Sequence, residues 1–193
     1  NNEGYYVLHN PAIFELGDPS IKKKDMLYSY IDMGLNSGNG DVILKNVPYY
    51  NESDILSSYF TAIYHENGKD WWIIKPKHAS NIFLTFLLDS DGIKLIHEQA
   101  LGNVFDPENA SSGGTAKFSP DGKMFAYFNT SDQLRVFDFD RSTGQFSNIR
   151  TAIIGEQDEA LFSSVEWSPN SQFLYISTME NLYQLEIDDG NLE

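Results

Sequence analysis

The feature of this 193-residue chain that most restricts what it can fold into is an internal echo. The segment Ala62-Ile-Tyr-His-Glu-Asn-Gly-Lys-Asp-Trp-Trp-Ile-Ile74 returns in outline as Ala116-Lys-Phe-Ser-Pro-Asp-Gly-Lys-Met-Phe-Ala-Tyr-Phe128. Ala62 and Ala116, Tyr64 and Phe118, Gly68 and Gly122, Lys69 and Lys123, and Trp71 and Phe125 all stand 54 positions apart. A third copy follows, with Phe118-Ser-Pro-Asp-Gly122 becoming Trp167-Ser-Pro-Asn-Ser171 at an offset of 49. Phe137-Asp-Phe-Asp140 becomes Leu185-Glu-Ile-Asp188 at an offset of 48, as a hairpin shortened by one residue would give. Self-similarity at a period of about 50 residues points to a propeller or solenoid, in which each unit buries its faces only against its neighbours.

Each unit reads as strand, tight turn, strand, hairpin, strand. Thr115 to Phe118 leads into Ser-Pro-Asp-Gly, where Pro120 pre-sets the first central turn position, Asp121 bonds locally and Gly122 supplies positive φ. Lys123 to Phe128 is rich in residues that suit a pleated surface, Asn129 to Asp132 carries turn chemistry, and Leu134 to Phe139 alternates as a further strand. Asp138 and Asp140 cap the end of that strand, Gly144 closes the next turn, and an outer strand runs through Phe146 to Ile154. Asn67, Gly68 and Asp70 fill the same turn in the preceding unit, and Trp167 and Pro169 open it in the last one. Towards the amino terminus, Tyr28 to Met33 and Asp41 to Lys45 read as strands around a Gly-rich hairpin loop at residues 36–40. Gly4 to His9 reads as a strand of an earlier blade. The best helical candidate is the short segment Asn51 to Ser58.

The expected fold is therefore all-β, a propeller with three to four four-stranded blades in view. Its approximate units are 5–57, 58–112, 113–160 and 161–193, the last incomplete. Propellers close with typically about 4–8 blades, so the expectation is a single partial propeller belonging to a larger ring. An open arc would expose an apolar blade face.

Charge narrows the partners. Thirteen Lys and Arg against 28 Asp and Glu give a net charge of −15, which opposes nucleic acid and anionic membrane surfaces. No apolar run reaches the length of a membrane-spanning helix. The absence of cysteine removes disulfides, thiol catalysis and Cys-ligated metal sites together.

The residues also carry a resemblance. His65 to Ile74, preceded by Tyr30-Ile-Asp-Met33 and Gly40-Asp-Val42, is followed by Ser80 to Phe83, Leu87-Leu88, Phe118 to Gly122, Phe137 to Arg141 and Thr143-Gly144. This order resembles the WD40-like or TolB-like propeller region of Bacteroidetes cell-surface proteins associated with type IX secretion and gliding motility. The resemblance covers about residues 27–188. It implies export and display at the outer-membrane surface of a Gram-negative bacterium, and no known activity.

Three groups of residues invite a functional reading, and the repeat offers each a plainer one. Trp71 and Trp72 could stack on sugars, yet adjacent strand residues point to opposite faces and Trp71 aligns with Phe125, which favours packing between blades. Burying about 200 Å² of indole at about 25 cal/mol/Å² stabilises by up to about 5 kcal/mol. His65, Glu66 and Asp70 offer acid, base and imidazole within six residues, but they occupy the places of a turn. His9, His78 and His97 show no metal-ligand spacing. Asp89 and Asp91, in Asp89-Ser-Asp-Gly92, are the candidate calcium pair, with Asp138 and Asp140 a second acidic cluster, and both lack the further oxygen ligands that calcium takes. No other cofactor is expected. Asn51, Asn109 and Asn129 begin Asn-x-Ser/Thr triplets that matter only in a eukaryotic secretory route.

A propeller enzyme would be expected to repeat an inward polar residue on its innermost strands. The positions after Ala62 and Ala116, and their equivalent, hold Ile63, Lys117 and Glu166, with no shared chemistry. The expectation is therefore a non-catalytic interaction or display module. Its partners would be a protein at the cell surface or in the secretion apparatus, the remaining blades, or a glycan. The alternative is the propeller region of a secreted hydrolase or glycan-processing enzyme whose catalytic part lies elsewhere.

Overall fold

The computed structural model describes residues 4–10, 12–13, 22–23, 25–52, 60–77, 80–104, 115–128, 134–154, 163–178, 180–188 and 191–192. They form two compact units, Asn1–Ser57 and Ser58–Glu193. The fold is all-β and propeller-like, with four antiparallel sheets of three or four strands. Among the described residues no helix is long and apolar enough to cross a membrane. The helical candidate at 51–58 and the turn expected at 129–132 lie largely or wholly outside the described residues.

In the first unit the strands are β1 (Gly4–His9), β2 (Ala12–Ile13), β3 (Lys22–Lys23), β4 (Met26–Asp32) and β5 (Asp41–Tyr50). One sheet has the order β1-β4-β5, and β2 pairs with β3. The strand at Gly4–His9 does not belong to an earlier blade: it pairs antiparallel with β4 along its whole length, Gly4 opposite Asp32 and His9 opposite Leu27. Three aromatic rings fasten it there, with Tyr6 lying 5.5 Å from Tyr28 and 4.8 Å from Tyr30. The loop from β4 to β5 needs left-handed backbone at Asn36, Ser37, Gly38 and Gly40, which explains its Asn, Ser and Gly content.

The second unit holds three consecutive four-stranded sheets. The first contains β6 (Thr61–Tyr64), β7 (Trp71–Pro76), β8 (Ile82–Asp89) and β9 (Gly92–Ala100). The second contains β10 (Thr115–Phe118), β11 (Met124–Phe128), β12 (Leu134–Asp140) and β13 (Gln145–Ala152). The third contains β14 (Ser164–Trp167), β15 (Phe173–Ser177), β16 (Leu182–Asp188) and β17 (Asn191–Leu192). Each of these three sheets is a simple meander, because short turns can join only antiparallel neighbours.

The period-two side-chain alternation of the middle sheet makes two cores. Phe125, Tyr127, Phe137, Phe139 and Phe146 face one side and pack with Trp72, Ile74 and Phe83 of the preceding sheet. Ala126, Phe128, Leu134 and Val136 face the other and pack with Val165, Trp167, Leu174, Ile176 and Leu185 of the following one. Buried on both faces, β11 reads as a continuous apolar run, whereas β12 carries the fully buried Arg135 among its apolar residues. The first strands of successive sheets lie beside one another, β6 next to β10 and β10 next to β14.

The turns repeat in atomic detail. The Ser119 hydroxyl donates to Asp121 Oδ1 at 2.6 Å and accepts from the Met124 amide at 2.9 Å. The Ser168 hydroxyl donates to Asn170 Oδ1 at 2.6 Å and accepts from the Phe173 amide at 2.8 Å. Gly122 at φ 74° and Ser171 at φ 61° fill the left-handed position, so the last sheet carries a non-glycine residue where the backbone favours glycine.

Candidate functional site

The innermost strands bring together two charged side chains that stand 49 positions apart. The ammonium of Lys117, on β10, lies 2.9 Å from Glu166 Oε2, on β14. Val165 and Trp167 are buried against the middle sheet, whereas Glu166 between them points the other way, opposite Tyr175. Lys117 therefore reaches Glu166 around the edge of β14 that β15 leaves unpaired.

That edge carries two amides that β15 does not take. The Thr115 hydroxyl accepts the Val165 amide at 2.7 Å, and Glu166 Oε1 accepts the Trp167 amide at 3.2 Å. The indole Nε1 of Trp167 donates to the Lys117 carbonyl at 3.2 Å. Satisfying the edge in this way prevents it from recruiting a stray strand. Lys117 and Glu166 remain 47% and 62% exposed, so both are open to solvent. The hydrogen bond from Lys117 holds the Glu166 carboxyl below its ordinary pKa against a modest opposing effect of burial, so it is ionised at neutral pH. An ionised carboxylate can take a proton from water or a hydroxyl, and the ammonium beside it can stabilise a developing oxyanion.

A search for one shared group across Ile63, Lys117 and Glu166 misses this pair, because the two residues differ in kind and complement each other in charge. The sequence does carry a related signal two positions earlier. Thr61, Thr115 and Ser164 repeat a hydroxyl at offsets of 54 and 49, and Thr115 uses it to join two sheets.

The enzyme-like turn of the preceding sheet is internally bonded. His65 Nδ1 accepts the Asn67 amide at 3.0 Å, Asn67 Oδ1 accepts the amides of Lys69 and Asp70, and Asn67 Nδ2 donates to Asp70 Oδ2 at 2.7 Å. The His65 ring stacks on Trp72. Trp72 is 3% exposed, and its Nε1 donates to the Arg141 carbonyl at 2.8 Å. Trp71 behaves differently: its ring lies 3.8 Å from that of Tyr64 and belongs to neither core cluster.

The acidic candidates for calcium are otherwise engaged. The Lys94 ammonium sits 3.3 Å from Asp89 and 3.2 Å from Asp91, where a cation would have to bind. The amide of Asp91 is the main cause holding the Asp89 carboxyl below its usual range. Asp138 binds Arg150 and Asn148, and Asp140 accepts from Ser142 and Thr143. No group of three or more potential metal ligands occurs among the described residues. His97 Nε2 contacts the Thr143 carbonyl across the gap between sheets, and His78 lies outside the described residues.

No family model and no curated protein matches the chain. Solved structures do. A Bacteroides fragilis protein named as a 6-phosphogluconolactonase aligns at TM-score 0.59 with 14% identity, over 95% of this chain and 56% of its own. A Bacteroides uniformis protein of the same name aligns at 0.58 with 17% identity, over 97% and 53%. The periplasmic gluconolactonase of Pseudomonas aeruginosa aligns at 0.56 with 14% identity, over 97% and 52%. The chain thus spans about half the length of these neighbours.

At such identities the likeness shows the fold. It bears out the propeller part of the resemblance drawn from the motif strings, and it contains nothing that points to type IX secretion or gliding motility. It overturns the expectation of a chain with no enzymatic role, because the neighbours are named for enzymes. That expectation leaned on the absence of one repeated inward group, whereas catalysis needs only one complementary set at a single place.

Proposed function

We propose that this chain is part of a propeller hydrolase that opens a sugar-derived lactone, with Lys117 and Glu166 at its reacting end. The observation that carries the reading is the exposed 2.9 Å pair on two adjacent innermost strands. Support for the reaction class comes from the names of the neighbours that share the fold over nearly the whole chain.

Lactone opening asks for little machinery. A water oxygen attacks the ester carbonyl carbon as the Glu166 carboxylate takes its proton. The Lys117 ammonium turns to the oxyanion that forms. The bond from the carbonyl carbon to the ring oxygen then breaks, and the leaving alkoxide recovers the proton from Glu166, giving the hydroxy acid.

The test is acid release from glucono-δ-lactone, followed with a pH indicator above the spontaneous rate. Positioned proton transfer contributes about 10²–10⁴-fold, so Glu166→Gln should lower the enzymatic rate by about 100-fold or more. A wild-type rate equal to background for both the free and the 6-phosphorylated lactone would sink the proposal. Export to an outer-membrane surface belongs to the reading only through the motif resemblance. Protease shaving of intact cells tests it separately.

A further inference from the structure

We propose that Thr115 is the positioning residue of the Lys117–Glu166 pair, its hydroxyl setting where β14 stands along β10. The seam between these two innermost strands joins three successive residues of β14 to two of β10. The Val165 amide donates to the Thr115 hydroxyl at 2.7 Å, Glu166 Oε2 lies 2.9 Å from the Lys117 ammonium, and the Trp167 indole Nε1 donates to the Lys117 carbonyl at 3.2 Å. Thr115 and Lys117 share one face of their strand, the face opposite to Ala116 and Phe118, which pack on the preceding core.

Of these contacts the hydroxyl bond is the one able to fix the seam. Val165 is 0% exposed, so its amide has no water to turn to once the hydroxyl is lost. Lys117 and Glu166 are exposed, and water screens their attraction. The lysine stem is long and flexible and sets no distance between strands, whereas threonine is short and stiff about χ1.

The repeat confines the device to one seam. Thr61 and Ile63 stand where Thr115 and Lys117 do, and Ile63 packs into the aromatic core, so β6 brings no ammonium to its seam with β10. The part Thr115 plays in turnover rests on the hydrolase reading above; its placement of Glu166 does not.

The test is the titration of the Glu166 carboxyl in the intact chain, followed by NMR of carboxyl-labelled glutamate and assigned with Glu166→Gln. The bond from Lys117 holds this carboxyl low. Thr115→Val and Thr115→Ala lack the acceptor and should let it rise towards the ordinary glutamate range, while Thr115→Ser keeps the acceptor and should not. Ser171→Ala removes a different hydroxyl bond between the same two sheets, the one taken from the Asp121 amide at 3.3 Å, and should also leave Glu166 unchanged. An unchanged titration in either folded variant that lacks the acceptor, or an equal rise in Thr115→Ser or Ser171→Ala, would overturn the proposal. In lactone hydrolysis the Val and Ala variants should lower kcat by about 10- to 100-fold with little change in KM, and move the acidic limb of the pH–rate profile upward. A wild-type chain without turnover would count against the hydrolase reading alone, and the titration would still decide what holds Glu166 in place.

Discussion

The indole Nε1 of Trp72 and the carbonyl of Arg141, 69 residues apart in the chain, are joined by a 2.8 Å hydrogen bond. The same carbonyl accepts the Glu66 amide at 3.1 Å, while the Arg141 side chain returns to the carbonyls of Tyr64 and His65. Two turns of neighbouring sheets are thereby bolted together at the rim, above the aromatic core that fills the space between them.

Stability should follow this joint. Trp72→Ala removes a buried ring and should cost about 3–5 kcal/mol. Trp72→Phe keeps most of the packing and leaves the Arg141 carbonyl with the Glu66 amide, so about 1–2 kcal/mol is expected. Gly144 sits at φ 74°, and a Cβ there would come within 2.8 Å of the Trp72 ring. Gly144→Ala should cost about 1–3 kcal/mol from backbone conformation and crowding. Urea unfolding of the three variants checks the order, and a Gly144→Ala protein as stable as wild type would refute the packing described.

The ion pair should matter to activity far more than to stability. Exposed pairs contribute up to about 1 kcal/mol, so Lys117→Ala and Glu166→Gln should each shift the urea midpoint only slightly. Glu166→Gln retains a side-chain oxygen for the Trp167 amide. A large loss of stability in Glu166→Gln would instead mark the pair as a structural fastening between sheets.

Acid should loosen the turns. Burial raises the Asp121 carboxyl, but bonds from the Ser119 hydroxyl and the Lys123 amide outweigh it and leave its pKa lowered. Bonds from the Ser142 hydroxyl and amide and from Thr143 lower Asp140 too. Carboxyls depressed in the folded state add stability above their unfolded pKa, about 4, and lose it as pH falls through the lower folded value. Thermal midpoints should be flat above about pH 5 and fall below it. Asp121→Asn should flatten part of that fall; an unchanged pH profile would contradict the role of Asp121.

Calcium should not stabilise the chain. Lys94 occupies the space between Asp89 and Asp91, and an ion would have to displace it while finding further oxygen ligands. Thermal midpoints in millimolar calcium and in excess chelator should agree. A clear rise with calcium would reopen the site.

Much of the fold is legible in the residues because turn chemistry is local. Ser119-Pro-Asp-Gly and its partner at Ser168 specify their own hydrogen bonds, and the strands between them alternate with the pleat. Trp71 and Trp72 illustrate what is partly legible. Their opposite faces follow from adjacency, whereas the burial of one and the half-open stack of the other depend on what lies across each face. The strand at Gly4–His9 is the clearest miss: an extended segment shows its tendency to pair, but its partner β4 lies beyond the two short strands β2 and β3.

The sequence by itself determined the repeat, the all-β class, the turn geometry and the net acidity, since these depend on residues near one another or on composition. Only the tertiary structure decided that Lys117 meets Glu166, that Trp72 reaches Arg141, and that Trp167 is sealed between two sheets. Those relationships join separate units of the repeat, and a side chain's chemical value there depends on which atoms packing brings within about 3 Å of it. The echo between residues 62–74 and 116–128 announces that such neighbours exist. It does not say which unlike residues they will pair.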